Sequence, residues 1–195
     1  ALGYVIGLPL GVTLAVTGKG GIRENKVVYR ILDVISNVIR SIPFLILLIL
    51  IIPLTRFLVG KSYGSSATIV PLVIAAAPFI ARMVESSLQE VDEGVIEAAK
   101  SMGAGTWTII FRVLLVEART SLIVGVTIAL GTILGYSAMA GVVGGGGLGD
   151  IAIRYGYYRY QTDIMVVTIV ILVLIVQVLQ ALGMMLSKKL DRRNK

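Results

Sequence analysis

Two glycine-rich motifs in this 195-residue chain have the spacing of nucleotide-binding elements, and neither meets the context such elements need. Gly60-Lys61-Ser62 ends like a phosphate-cradling loop. The glycine that loop requires five positions earlier is Thr55, and the tripeptide follows an apolar helix rather than a strand. Gly144-x-Gly146-x-x-Gly149 has the form of a dinucleotide fingerprint, yet it too follows a helix and lacks a strand–helix–strand setting. Gly141 to Gly149 reads instead as a break in a membrane helix, where irregular backbone lines a cavity. Cysteine and histidine are both absent. Their absence excludes disulfides, thiol nucleophiles, Cys/His metal centres and Ser-His-Asp triads together. A Ser-Lys dyad would remain, but every lysine falls in a loop. The chain therefore reads as non-catalytic, with no cofactor, metal or nucleotide site of its own. If it works with ATP, another subunit must bind it.

The elements that would position any site are membrane helices. The chain is 56% hydrophobic and only 15% charged, with a mean hydropathy of +0.92; a soluble domain needs more charge to cover its surface. Five apolar stretches are expected as spans, at about 2–16, 38–54, 67–84, 121–143 and 164–186. They are continuously apolar rather than alternating, which favours helices over a barrel. A crossing needs about 20 apolar residues, so the first stretch is read as the tail of a longer helix. The net charge of +7 is taken as topology rather than as a nucleic-acid signal. The loops at 18–37 and 85–120 and the C-terminal tail, with Arg40 and Arg82 at the membrane edges, hold 14 of the 18 Lys and Arg. The opposite loops hold Arg56, Lys61, Arg154 and Arg159. The basic set marks the cytoplasm, which places the N-terminus outside and the C-terminus inside. The span centres carry no Asp, Glu or Lys, which argues against an ion-coupled carrier. Gln177 and Gln180 in the last span are expected to bond between helices.

Small residues recur at helical spacing. Span 1 reads Gly3-x3-Gly7-x3-Gly11, and span 4 holds Gly131-x3-Gly135 with Gly125 and Ala129 before it. Such spacing lets two backbones approach, within the chain or across a subunit interface. Pro9, Pro43, Pro53, Pro71 and Pro78 fall within spans and permit kinks.

The segment 85–120 is too patterned for a simple connector. Val91, Val95, Ala98 or Ala99, and Met102 recur at helical spacing, with Asp92, Glu93 and Glu97 near the helix start, where the dipole favours acids. Gly103-Ala104-Gly105 then breaks the helix. A second amphipathic run follows, with Trp107, Ile110, Phe111, Leu114 and Ala118 as its apolar face. A helix–turn–helix is expected to project into the cytoplasm. It would either lie on lipid or dock into a groove on a partner.

Glu97-Ala98-Ala99-x3-Gly103 followed by Val113-x-Leu115 resembles the EAA loop of ABC importer permeases. The family pattern runs on to a proline where this chain has Val116, which puts the bend after the second helix in question. Arg40-Ser41-Ile42-Pro43-Phe44, Ala77-Pro78-Phe79-Ile80-Ala81-Arg82 and Gly135-Tyr136-Ser137-Ala138-Met139-Ala140-Gly141 are similar to the methionine-importer branch. So is the five-span plan. The resemblance implies a single all-α permease domain over 1–195, in the bacterial inner membrane. It implies a second copy of the chain, two cytoplasmic ATPases that bind ATP and Mg, and an external substrate-binding lipoprotein, with no nucleic acid. It implies that Glu97, Ala98, Ala99 and Gly103 couple ATPase motion to the membrane part. Tyr136, Ser137 and Met139 would then border the translocation path or its gate; Met139 is flexible and polarizable enough to close a pore and accept a thioether. The alternatives are the same machine with another small substrate, or an ATP-independent channel or carrier.

Overall fold

The structure, a computed structural model, describes residues 1–190. The basic tail residues Arg192, Arg193 and Lys195 invoked for topology lie outside the described residues. Among the described residues the chain is helical and contains no strand. The elements are α1 (Leu2–Thr17), α2 (Lys26–Ser41), α3 (Phe44–Leu50), α4 (Ile52–Val59), α5 (Ser65–Gln89), α6 (Glu93–Ser101), α7 (Thr106–Thr108), α8 (Leu115–Glu117), α9 (Arg119–Ala140), α10 (Gly147–Ile151) and α11 (Thr162–Leu190). A π-helical segment, Ile109–Leu114, joins α7 to α8, and a second, Ala152–Tyr157, follows α10.

Among the described residues three helices are long and apolar enough to cross a membrane: α5, α9 with its continuation to Val143, and α11. They are the third, fourth and fifth expected spans, each extended at one or both ends. The second expected span is not one helix. Residues 38–54 are split among α2, α3 and α4, and α2 meets α3 at a bend of 103°. Proline is the cause. Pro43 offers no N–H, and it holds Ile42 extended at φ −82 and ψ 124. Taken as one broken span, α2 and α3 raise the number of crossings to four. The segment 18–37, expected as a loop, is largely helical. Asn25 caps α2, its side chain accepting from the N–H groups of Val27 and Val28. Val27, Ile31, Val34, Ile35 and Val38 form one apolar stripe along it, and that stripe is exposed. α1, at 16 residues, is shorter than a full crossing.

α5 is the centre of the bundle. α1 lies along one side of it and α9 along another, and α11 packs on α9. Gly3, Gly7 and Gly11 are all buried at the α1–α5 seam. A Cβ on Gly7 would sit 2.7 Å from the Ile80 Cβ, and one on Gly11 would sit 2.5 Å from the Ala81 carbonyl oxygen. The glycine repeat of span 1 is thus satisfied within the chain. In span 4 the outcome divides. Gly125 faces Met83 and Ser87 of α5, and Gly131 faces Gln180 of α11. Nothing among the described residues lies within 4 Å of a Cβ placed on Gly135. Gln177 and Gln180 make no side-chain hydrogen bond among the described residues. The α9–α11 contact rests instead on shape, with Thr127 filling the space over Gly183.

The break expected over Gly141–Gly149 is present. α9 ends in a single 3-10 turn, Gly141–Val143, and Gly144, Gly146 and Gly147 then take positive φ (76, 77 and 83). That backbone turns the chain into α10, and the Gly64 N–H donates to the Gly144 carbonyl at 3.1 Å.

Candidate functional site

Two regions carry the residues singled out from the sequence. The first is the hairpin after α5. The segment expected over 85–120 is narrower in the structure, because 85–89 belong to α5 and 119–120 to α9. Asp92 caps α6 by accepting from the Gly94 N–H at 2.8 Å, and Glu93 occupies its first turn. Gly103 ends the helix at φ +78, a left-handed conformation that a side chain with a Cβ adopts only with strain. The chain reverses there and enters α7.

The inner face of the hairpin is continuous with the membrane core. Leu88 of α5, Val91, Ala99, Ile109, Ile110, Leu114 and Ala118 pack as one cluster with Ile80 and Val84. The hairpin is therefore an extension of α5 and not a tethered loop. This packing separates the two alanines of the motif. Ala99 is 5% exposed and belongs to the core, while Ala98 and Glu97 face outward. The apolar face expected for the second helix is shifted. Ile109 joins Ile110, Leu114 and Ala118 inside, whereas Trp107 and Phe111 are 72% and 60% exposed. The reason is the π-helical stretch, whose extra residue per turn rotates the face. Trp107 and Phe111 stack on each other, centroids 5.9 Å apart, and Met102 is 81% exposed. Ala98, Met102, Trp107 and Phe111 are thus exposed apolar residues of the hairpin, and Glu97 and Lys100 are exposed charges on the same helix as Ala98.

The second region is the C-terminal half of α9. Tyr136 turns inward and stacks on Phe44 of α3, with centroids 4.6 Å apart and planes 7° from parallel. Ser137 and Met139 are exposed. Ile128, Thr132, Gly135, Met139 and Val142 follow the i, i+3, i+4 rule along one stripe of this helix. Of the three residues expected at the path, Tyr136 and Met139 are one turn apart on the same side of α9, Tyr136 packed on Phe44 and Met139 exposed, while Ser137 points to the opposite side from Met139. Behind Tyr136 is a cavity of about 200 Å³ bordered by Arg40, Phe44, Ala75 and Phe79.

A polar cluster between α2 and α5 was not anticipated. The Arg82 Nη1 donates to Glu85 Oε2 at 2.6 Å, and its Nη2 donates to Asp33 Oδ1 and, at 3.1 Å, to Asn37 Oδ1. The Asn37 amide donates to Asp33 Oδ1 at 3.2 Å. Glu85 is 4% exposed, so its charge is bearable only because Arg82 pairs with it. This cluster turns the polar side of α2 onto the protein and leaves its apolar stripe facing out. Arg82 and Glu85 one turn apart in an apolar helix were the available signal; Asp33 and Asn37 lie more than 40 residues earlier.

No group of His, Cys, Asp and Glu capable of holding a metal occurs among the described residues. Gly60 is the left-handed C-cap of α4, so Gly60-Lys61-Ser62 follows a helix and not a strand.

An apolar helical bundle with a broken second helix, a glycine-built reversal and a hairpin on the end of its central helix defines an all-helical membrane protein. Residues 7–195 match the family of binding-protein-dependent transport system inner membrane components, and the chain belongs to it. It is 51% identical over 193 residues to the probable D-methionine transport system permease protein MetI of Vibrio cholerae, spanning 99% of this chain and 86% of that one. It is 46% identical over 180 residues to the methionine import system permease protein MetP of Bacillus subtilis, spanning 92% of this chain and 81% of that one. A solved structure described as inward-facing conformations of the MetNI methionine ABC transporter matches with a TM-score of 0.96 and 49% identity, over 98% of this chain and 88% of that one.

Proposed function

We propose that this chain is the membrane-spanning permease subunit of an ATP-driven importer that moves methionine into the cytoplasm. The observation that carries the reading is the hairpin after α5. Its inner face is part of the α5 core, and it carries exposed apolar residues, Ala98 of the Glu97-Ala98-Ala99-x3-Gly103 motif among them. A lever needs both properties, a stiff root and a surface that a partner can grip. The likeness to the methionine permeases supplies the cargo.

In this reading α1, the α2–α3 pair, α5, α9 and α11 make five crossings, with the N-terminus outside and the C-terminus in the cytoplasm. Two copies form the channel. Their exposed α9 stripes, open at Gly135, face one another, and Met139 closes the path from each side. Two separate ATPases bind ATP and Mg, and each receives one hairpin. Ala98 permits the close approach, Glu97 pairs at the rim, Ala99 locks the hairpin to its root, and Gly103 sets the reversal. ATP closes the ATPases, the hairpins follow as near-rigid bodies, and the permease passes between two packings. An external binding lipoprotein delivers the substrate. The chain itself performs no bond chemistry and needs no cofactor.

The test is reconstitution of the chain with its ATPase and binding protein in proteoliposomes. Methionine uptake that requires ATP, the binding protein and an intact Ala98-x4-Gly103 segment is the expected result. Methionine flux without the ATPase would assign a channel or carrier. ATP-driven transport of another solute would keep the machine and change its cargo.

A further inference from the structure

The bend at Pro43 constrains α2. α2 and α3 diverge by 103°, so the two cannot both run along the membrane normal. Their chemistry decides which one does. α3, Phe44–Leu50, is wholly apolar. α2 carries Lys26, Arg30, Asp33 and Arg40 within 16 residues, and charges on a crossing helix are costly. Of the bent pair, α3 is therefore the member suited to cross, and a helix nearly perpendicular to it runs close to the membrane plane.

The faces of α2 fit that placement. Ser36 is buried against the protein, and Asp33 is held there by Arg82. Val27, Ile31, Val34, Ile35 and Val38 point the other way, each between 51% and 68% exposed. Lys26 and Arg30, one turn apart, border this stripe and are exposed. Lys19, from the turn after α1, joins them around an open pocket of about 540 Å³. Of the acids on its rim, Asp33 is taken by Arg82, and Glu24 lies 3.9 Å from Lys26. Lys19 and Arg30 make no ion pair among the described residues. A helix with one exposed apolar face and cations along its edge binds an anionic lipid surface: the apolar side chains enter the acyl boundary and the cations take phosphates. A second copy meeting the stripe across a two-fold axis presents the same apolar side chains and the same cations, and no anion free to take them. A layer of phosphates supplies that anion.

We propose that α2 lies in the plane of the cytoplasmic leaflet, its apolar stripe in the acyl boundary, and that Lys19, Lys26 and Arg30 hold an anionic phospholipid headgroup there. The choice of leaflet rests on the orientation proposed above; the in-plane placement and the lipid class do not. Cysteine is absent from the chain, so Val27→Cys, Ile31→Cys, Val34→Cys and Val38→Cys each give one site for a nitroxide label. The labelled chain is assembled with cysteine-free partner subunits in proteoliposomes, and accessibility to oxygen and to a water-soluble nickel chelate reads depth. All four labels should lie at one depth, about 5–10 Å into the boundary. A crossing helix would spread them over about 16 Å, at 1.5 Å per residue, and would overturn the in-plane placement. Low oxygen access with spin–spin broadening would put a second copy on the stripe and overturn the lipid. The lipid class is read by a bimane on Ile31→Cys in mixed vesicles of phosphatidylcholine and phosphatidylglycerol, with one of the two brominated at a time. Brominated phosphatidylglycerol should quench more strongly. Lys19→Gln and Arg30→Gln should each weaken that preference about fivefold, the effect of one surface cation. Equal quenching by the two lipids, or indifference to both substitutions, overturns the headgroup site. Loss of the preference in excess glycerol phosphate overturns the lipid in favour of a free phosphate. A membrane-impermeant thiol reagent should reach Lys19→Cys from the cytoplasmic side alone; reaction from outside overturns the leaflet and the proposed orientation together.

Discussion

The seam between α1 and α5 allows a graded prediction. Alanine placed at Gly3, Gly7, Gly11 and Gly135 adds the same methyl group to four helical positions that differ only in what it meets. At Gly11 the new carbon would lie 2.5 Å from the Ala81 carbonyl oxygen and 2.6 Å from the Val84 Cβ. At Gly7 it would lie 2.7 Å from the Ile80 Cβ and 2.8 Å from the Ala77 carbonyl oxygen. Carbon atoms are comfortable at about 3.5–4.0 Å, so α1 must retreat by about 1 Å at either position. Neither obstacle is the swinging end of a long side chain, so the helices themselves must separate. Overpacking of this kind costs about 1–3 kcal/mol. At Gly3 the nearest atom is the Ala76 Cβ at 3.1 Å, and a shift of a few tenths of an ångström relieves it. At Gly135 nothing lies within 4 Å among the described residues. Thermal unfolding of the purified chain in detergent should therefore rank Gly11→Ala at least as damaging as Gly7→Ala, then Gly3→Ala, with Gly135→Ala unchanged. An unaltered melting temperature for Gly11→Ala, or a loss at Gly135 equal to that at Gly7, would refute the packing argument. Gly135→Ala carries a second readout, since it should weaken cross-linking between two copies while leaving the single chain intact.

Three further outcomes follow from the same geometry. Arg82→Met leaves Glu85 buried without its cation and should destabilise the chain by about 3–5 kcal/mol; adding Glu85→Gln should recover much of this in chemical denaturation, and a double variant no better than the single would contradict the pairing. Gly103→Val forces a branched residue into φ +78 at a cost of about 1–2 kcal/mol confined to the hairpin, so the protein should insert normally but lose ATP-coupled uptake; full uptake would remove the reversal from the coupling path. Met139→Ala should raise basal ATP hydrolysis or solute leak in proteoliposomes, and unchanged behaviour would exclude Met139 from the gate.

Much of this molecule is readable from local pattern. α5, α9 and α11 are long apolar runs, and such a run has few alternatives to a membrane helix. The hairpin is legible because its period, its acidic first turn and Gly103 are all features of a single helix and its end. Long-range packing decided the rest. The 3.6 period shows that α1 has a glycine stripe, but only the fold shows that α5 fills it. Prolines announce bends, but the 103° angle at Pro43 and the Arg82–Asp33 pair that ties α2 to α5 across 49 residues are seen only in the fold. The π-helical stretch at Ile109–Leu114 rotates a face that an ideal period places elsewhere, which is why Trp107 and Phe111 point outward. Arg40 looks like a membrane-edge charge in the sequence, and that it borders one pocket with Phe79 and Tyr136 is visible only in the fold. A helix's period and its caps depend on neighbours within a turn or two, so sequence alone determines them. Which face meets which partner depends on backbones brought together from distant positions, and only the tertiary structure decides that.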